Sequence, residues 1–188
     1  IQDVFRKVEG TSTVIAGMLT SGEIHVSEGG KAATILTLGP LSDGTFIDAK
    51  VRSIHCKKIN VSSVTAGKYV CIGFPKGLDG SKLRKNMFAV GASTKPTATW
   101  EFWADIKLAK AESACVKVGY TPHCYIGHVR QTCKMLQIIE LPQTDEFGVD
   151  LPDWDQPEKF KVLESLAAGG EARVLMRFCF QPLQKEFS

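Results

Sequence analysis

Residues 99–109 read TWEFWADIKLA, and their alternation decides the fold. In an extended strand successive side chains point to opposite faces. Trp100, Phe102, Ala104, Ile106 and Leu108 then share one face, while Glu101, Trp103, Asp105 and Lys107 take the other. A period of two with one apolar face predicts a half-buried strand. Similar segments recur along the chain: STVIAGML (12–19), KAATILTLG (31–39), TFIDAKVRSIHC (45–56), KYVCIGF (68–74), HCYIGHV (123–129), TCKMLQII (132–139) and EARVLMRFCF (171–180). All are short, rich in Val, Ile, Thr and aromatic residues, and bounded by Gly, Pro, Ser or Asp. EKFKVLESLAAGG (158–170) is the single short stretch with a helical pattern. Strands at close spacing without intervening helices predict an all-β chain, a sandwich or a barrel. GASTKPTA (91–98) ends one set of strands and precedes another, and we place the boundary between two small β-domains there.

The chain has 188 residues, 44% hydrophobic and 23% charged, the composition of an ordinary globular protein. It is long enough for one large or two small cores. No run of about 18 apolar residues offers a membrane-spanning helix, so no membrane partner is expected. The opening IQDVFRKVEG is too polar for a secretory signal and does not begin with Met, so the chain is expected to be a piece of something longer. Six cysteines, at 56, 71, 115, 124, 133 and 179, sit in apolar or strand-like runs without a repeating framework. They read as reduced, buried thiols of a cytoplasmic protein. The net charge of +3 conceals a division, because residues 140–164 hold eight acids against Lys159 and Lys161. That segment carries −6 and leaves +9 on the remainder, a basic body suited to a polyanion such as RNA or simply a solvated surface.

GFPKGLDGSK (73–82) has the glycines and lysines of a phosphate loop but neither its spacing nor a following helix. G-x-S-x-G, H-E-x-x-H and C-x-x-C are all absent. No spacing joins Ser, His and Asp residues into a catalytic set, so no catalytic residue is assigned. VGYTPHCYIGHVRQTC (118–133) gathers His123, Cys124, His128 and Cys133, which raises the question of a metal site. On a strand His123 and Cys124 point to opposite faces, and Cys124 and His128 stand about 13 Å apart. Zinc ligands need tight turns at C-x₂₋₄-C spacing. The stretch is therefore expected to bind no metal.

In their order and spacing, IQDVF (1–5), TVIAG (13–17), GEI (22–24), VRSIH (51–55), Ala66-Gly67 and VGYTPHCYI (118–126) resemble domains two and three of translational GTPases of the elongation factor Tu/elongation factor 1-alpha type. LTLGPLSDGTFIDAKVRSIHCKKINV (36–61), TWEFWADI (99–106) and HVRQTCKM (128–135) look closest to the GTP-binding protein one/two branch. The resemblance implies two consecutive small antiparallel β-barrels, about 1–95 and 96–188. The second would carry an acidic insertion at about 140–168 and stop short of the family's closing strands. GTP, Mg and GTP hydrolysis would belong to a nucleotide-binding domain outside this sequence, with no cofactor held here.

What the resemblance implies for function is the binding of aminoacyl-tRNA or a related RNA, with the ribosome and the GTPase domain as further partners. Carried over residue by residue, Asp3 and Phe5 lie near the aminoacyl group. Thr13, Val14 and Ile15 form part of a pocket for the terminal adenosine. His55 falls where the bacterial factor has a glutamate packing on that adenine, and an imidazole stacks on a base equally well. Lys58 meets backbone phosphate. Tyr69 stands where the family has a small polar residue, and Gly73 where it has an apolar one. In the second barrel Arg130, Gln131 and Thr132, next to Gly119 and Tyr120, supply donors for the phosphates and 2′-hydroxyls of an RNA helix, with Lys134 on the same strand face as Arg130. TVIAG also reads as a plain barrel strand, His55 as a surface histidine, and Arg130 as a partner for an acid such as Glu101. Trp103, on the polar face of its strand, marks an interface. A protein-interaction scaffold that docks the GTPase domain or a messenger-RNA surveillance partner, without touching RNA, is the alternative reading.

Overall fold

Strand-forming segments separated by turn residues make up most of the described chain, and the observed architecture follows. The computed structural model describes residues 1–10, 13–30, 32–110, 115–126, 129–141 and 161–185. The described chain is all-β, with curled antiparallel sheets in the manner of β-barrel domains. Contacts divide it into two units, Ile1–Thr99 with the segment from Gln181 onward, and Trp100–Phe180.

The first unit begins with β1 (Asp3–Arg6), β2 (Thr13–Leu19), β3 (Glu23–His25), β4 (Ile35–Gly39) and β5 (Ile47–Lys50). It continues with β6 (Ser53–Cys56), β7 (Ile59–Val61), β8 (Ser63–Thr65), β9 (Lys68–Phe74), β10 (Phe88–Gly91) and β11 (Thr97–Thr99). Five strands form one sheet in the order β1-β2-β9-β6-β7, beside a three-stranded sheet β10-β4-β5 and the pair β3-β8. All these sheets contribute to one core, which includes Ile15, Ile24, Leu38, Ile54, Val64, Ile72 and Phe74. Each such aliphatic or aromatic side chain contributes roughly 1.5–3 kcal/mol when removed from water.

The second unit comprises β12 (Glu101–Lys107), β13 (Cys115–Lys117), β14 (His123–Ile126) and β15 (Val129–Glu140), then β16 (Val162–Leu163), β17 (Ser165–Ala167) and β18 (Glu171–Phe178). Its main sheet runs β12-β18-β15-β14, with β16 also on β15, and β13 pairs β17. The alternation read in β12 is present: Phe102, Ala104 and Ile106 are half-buried, while Glu101, Trp103, Asp105 and Lys107 are exposed. Phe102 stacks on Phe178 with ring centroids 4.8 Å apart. A bulge between Met135 and Gln137 resets the phase of β15. Cys133, Met135 and Ile138 therefore all reach the core, although strict alternation would turn Ile138 outward.

The helical pattern in EKFKVLESLAAGG is overturned: Val162–Leu163 and Ser165–Ala167 are strands. Pairing with β15 and β13 outweighs the weak local propensity. The expectation that the cysteines are buried holds for Cys133; Cys115 and Cys179 are exposed and the other three intermediate, all six being free thiols. Of the acidic segment, residues 142–160 lie outside the described residues. The last described strand, β19 (Leu183–Lys185), pairs with β11 of the first unit.

Candidate nucleic-acid interface

Register assembles the first candidate surface. On the five-stranded sheet Phe5 stands opposite Val14, Val14 opposite Gly73, and Gly73 opposite Ser53. The adjacent row runs Asp3, Ala16, Cys71, His55, Asn60, and a third pairs Met18 with Tyr69. Opposite residues in an antiparallel pair share a face. Asp3, Phe5, Val14, His55 and Tyr69 thus emerge on the same outer face although they span 67 positions from residue 3 to residue 69. The residues between them are small, Ala16 and Gly73 buried and Cys71 half-buried, and the exposed side chains of Phe5, Met18 and Tyr69 stand around them.

Thr13 and Ile15 do not belong to this surface. They are 2% and 3% exposed, on the inward face of β2. A Cβ added at Gly80 would lie 2.3 Å from the Thr13 hydroxyl, so Thr13 packs beneath the 80–83 turn. That turn is fastened by Arg6, whose guanidinium donates to the Gly80 and Leu83 carbonyls at 2.8 and 2.7 Å. Asp79 caps it by accepting the Ser81 N–H at 3.0 Å. A single 3₁₀ turn, Gly80–Lys82, takes the place of the helix a phosphate loop would need.

The electrostatics of the face centre on Asp3, which meets Lys85 at 2.5 Å. Burial first, and the Asp3 charge second, push the Tyr69 phenol and the Cys71 thiol above their ordinary values. Cys71 is therefore a neutral thiol at pH 7. Lys58 shares the two-residue turn between β6 and β7 with Lys57, both left-handed at φ 68° and 51°. Such turns match strand twist, but non-glycine residues there cost roughly 1–2 kcal/mol each.

The second candidate surface lies where β14 meets β15. Tyr125 stands opposite Arg130, whose guanidinium carbon is 5.2 Å from the ring centroid. Arg130 and Lys134 are exposed on the outer face of β15, with Thr132 between them. Lys134 stands opposite Arg177, so two cations are neighbours across the strands. Arg177 also reaches Glu101 at 3.8 Å, the acid weighed as a partner for Arg130. Gln131 leaves the set: it is 8% exposed and shares the inward face with Cys133. Tyr120 is exposed and precedes the row, its carbonyl accepting the Met135 N–H at 2.9 Å. The exposed Tyr125 was missed; the signal available was its position five residues before Arg130, which a tight hairpin brings opposite.

Trp103 is 41% exposed and faces Leu175, flanked by the rows Glu101–Arg177 and Asp105–Arg173. In the metal-like stretch His123 is exposed and Cys124 half-buried, on opposite faces of β14. Burial first, and the neighbouring Cys124 next, push the Cys133 thiol well above its ordinary value, so it is neutral at pH 7. Among the described residues no three His, Cys, Asp or Glu side chains are grouped to hold an ion, and His128 lies outside them. No described helix is long and apolar enough to cross a membrane.

No protein-family model matches the chain. Over 136 residues, 72% of its length, it is 32% identical to GTP-binding protein 1 of Xenopus laevis. Over 136 residues it is also 29% identical to GTP-binding protein 2 of Mus musculus and of Homo sapiens. The chain spans about a fifth of the length of these curated relatives, 19% of the first and 21% of the others. It is thus homologous to proteins named GTP-binding protein 1 and GTP-binding protein 2.

Proposed function

We propose that the two units are the second and third domains of a cytoplasmic translational GTPase, and that they present aminoacyl-tRNA or a related RNA to the ribosome. The observation that carries this reading is the convergence of Asp3, Phe5, Val14, His55 and Tyr69 on one sheet face. An exposed aromatic ring and an exposed imidazole on one face suit an unstacked terminal base, which binds by stacking. Asp3 and Tyr69 supply polar groups for whatever the terminal ribose carries. Arg130, Lys134 and Tyr125 suit the phosphates and sugar edges of a helix, where cations and hydroxyls read shape.

GTP and Mg would be held by a nucleotide-binding domain of the longer protein, against which the two units would shift when the nucleotide changes. Affinity of the full-length protein for aminoacyl-tRNA, measured across a salt series, tests the reading. His55→Ala and Arg130→Glu are each expected to lose at least tenfold; unchanged binding in both sinks it. A second reading, docking of a protein partner without RNA contact, is supported by Trp103, whose exposed ring sits beside Leu175. Trp103→Ala would then abolish partner binding, and His55→Ala would change nothing.

A further inference from the structure

The β6–β7 hairpin has two faces, and the RNA reading uses one of them. His55 and Asn60 form the outer row, whereas Ile54 with Val61 and Cys56 with Ile59 turn to the other side. On that inner side, at one mouth of the first barrel, is a cleft of about 520 Å³. Ile59, Val61 and Val64 give it an apolar wall, and Lys57, Lys68 and Tyr69 also line it. Among the described residues no carboxylate lines it, and the charged groups that do are two ammonium ions. Its size falls among small-molecule pockets, roughly 300–1,000 Å³, and barrel mouths are common places for them.

Two further features set this cleft apart from an incidental hollow. Ile59 is 66% exposed at the hairpin end, a large apolar side chain held at the cleft with little of it covered. Lys57 contributes to the lining from a left-handed backbone, φ 51°, in a turn where Asn-Gly would be free of strain. Strain of this kind is retained where the surrounding structure or a ligand uses the conformation.

We propose that this cleft binds a small amphipathic anion: an aliphatic or aryl body carrying one carboxylate or phosphate. The body packs on Ile59, Val61 and Val64, displacing water from apolar surface. The head group meets the Lys57 and Lys68 ammonium groups. Its lysines and apolar wall lie on the opposite hairpin face from His55, with Tyr69 bordering both surfaces, and the proposal does not rest on the RNA reading.

Calorimetric titration of the chain with decanoate, decyl phosphate and decyltrimethylammonium tests this. One equivalent of decanoate or decyl phosphate is expected to bind, and the cationic chain at least tenfold more weakly. Lys57→Glu with Lys68→Glu is expected to lose at least tenfold for the anions, and so is Ile59→Asp. These positions are exposed, so the variants should keep the parent far-UV spectrum. Val61→Trp, which fills the cleft, gives an independent loss, while His55→Ala leaves the titration unchanged. Equal affinity for the cationic and anionic chains, or unaltered binding in the lysine variant, overturns the proposal. So does binding to vesicles of anionic phospholipid with none to the monomeric amphiphiles, which would mark a membrane surface instead of a pocket.

Discussion

The outer sheet faces of the two units treat their exposed side chains in opposite ways. In the second unit β12 and β18 set Glu101 against Arg177, Asp105 against Arg173 and Lys107 against Glu171, so charge is met by charge across the strands. In the first unit the corresponding middle of the sheet holds Ala16, Cys71 and Gly73, with Phe5, Met18 and Tyr69 exposed around them. A face whose charges are matched internally gains little from a ligand. One with exposed Phe5, Met18 and Tyr69 side chains offers apolar surface that a ligand can cover. The exception in the second unit is the Arg130–Lys134 end, where Lys134 faces Arg177 and the excess is positive.

The comparison is broken most severely by damage beneath the sheets. Ile54 and Val174 are both fully buried, one under each face. Ile54→Ala leaves a cavity and is expected to cost about 2–5 kcal/mol, and the smaller Val174→Ala about 1–3 kcal/mol. Urea denaturation followed by far-UV circular dichroism measures both. Next comes Gly80→Ala, whose new methyl would meet the Thr13 hydroxyl; about 1–3 kcal/mol is expected. Thr13→Ala in the same chain should recover part of that loss if the clash is its cause, and an additive double variant would place the cause elsewhere.

At the level of binding, Arg130→Glu should flatten the salt dependence of RNA affinity as well as weaken it, because phosphate contacts release counterions. His55→Ala should weaken binding with the salt slope unchanged, since stacking releases none. Equal changes in slope would erase the distinction between the two faces.

The smallest effect belongs to the matched charges. Hydrogen bonds from Arg173, one at 2.7 Å, hold the Asp105 carboxyl below the usual carboxylate range. Its contribution is therefore full above the ordinary value near pH 4 and disappears as the pH falls through the lowered folded value. Asp105 is half-exposed, so Asp105→Ala is expected to cost less than about 1 kcal/mol. A thermal-melt series from pH 6 to pH 2, comparing parent and variant, should show their difference vanish at the acid end.

How much of this was legible in the sequence differs by element. The alternation of β12 was, because a sheet with one wet face writes its period directly into the residues. The short strands β3, β7, β8, β13, β16 and β17 were not, since two or three residues carry no period and their pairing is decided by their partners. Nor was the bulge in β15, which moved Ile138 to the core. At the candidate site, resemblance named Thr13, Ile15 and Gln131 along with Val14 and Arg130. Burial then separated neighbours on the same strand, because adjacent positions face opposite ways. Tyr125 escaped notice because its importance lies in the register of a hairpin with Arg130 and not in its own neighbourhood.

The most direct test of the RNA reading is a thermodynamic cycle between His55 and the terminal adenosine of aminoacyl-tRNA or its minimal RNA analogue. The full-length protein and its His55→Ala variant are each titrated with RNA that ends in, or lacks, that nucleotide. The account predicts that removing the adenosine costs the parent at least tenfold, about 1.4 kcal/mol, and costs the His55→Ala variant much less. An equal loss in both proteins would show that His55 and the adenosine do not meet, and would contradict it.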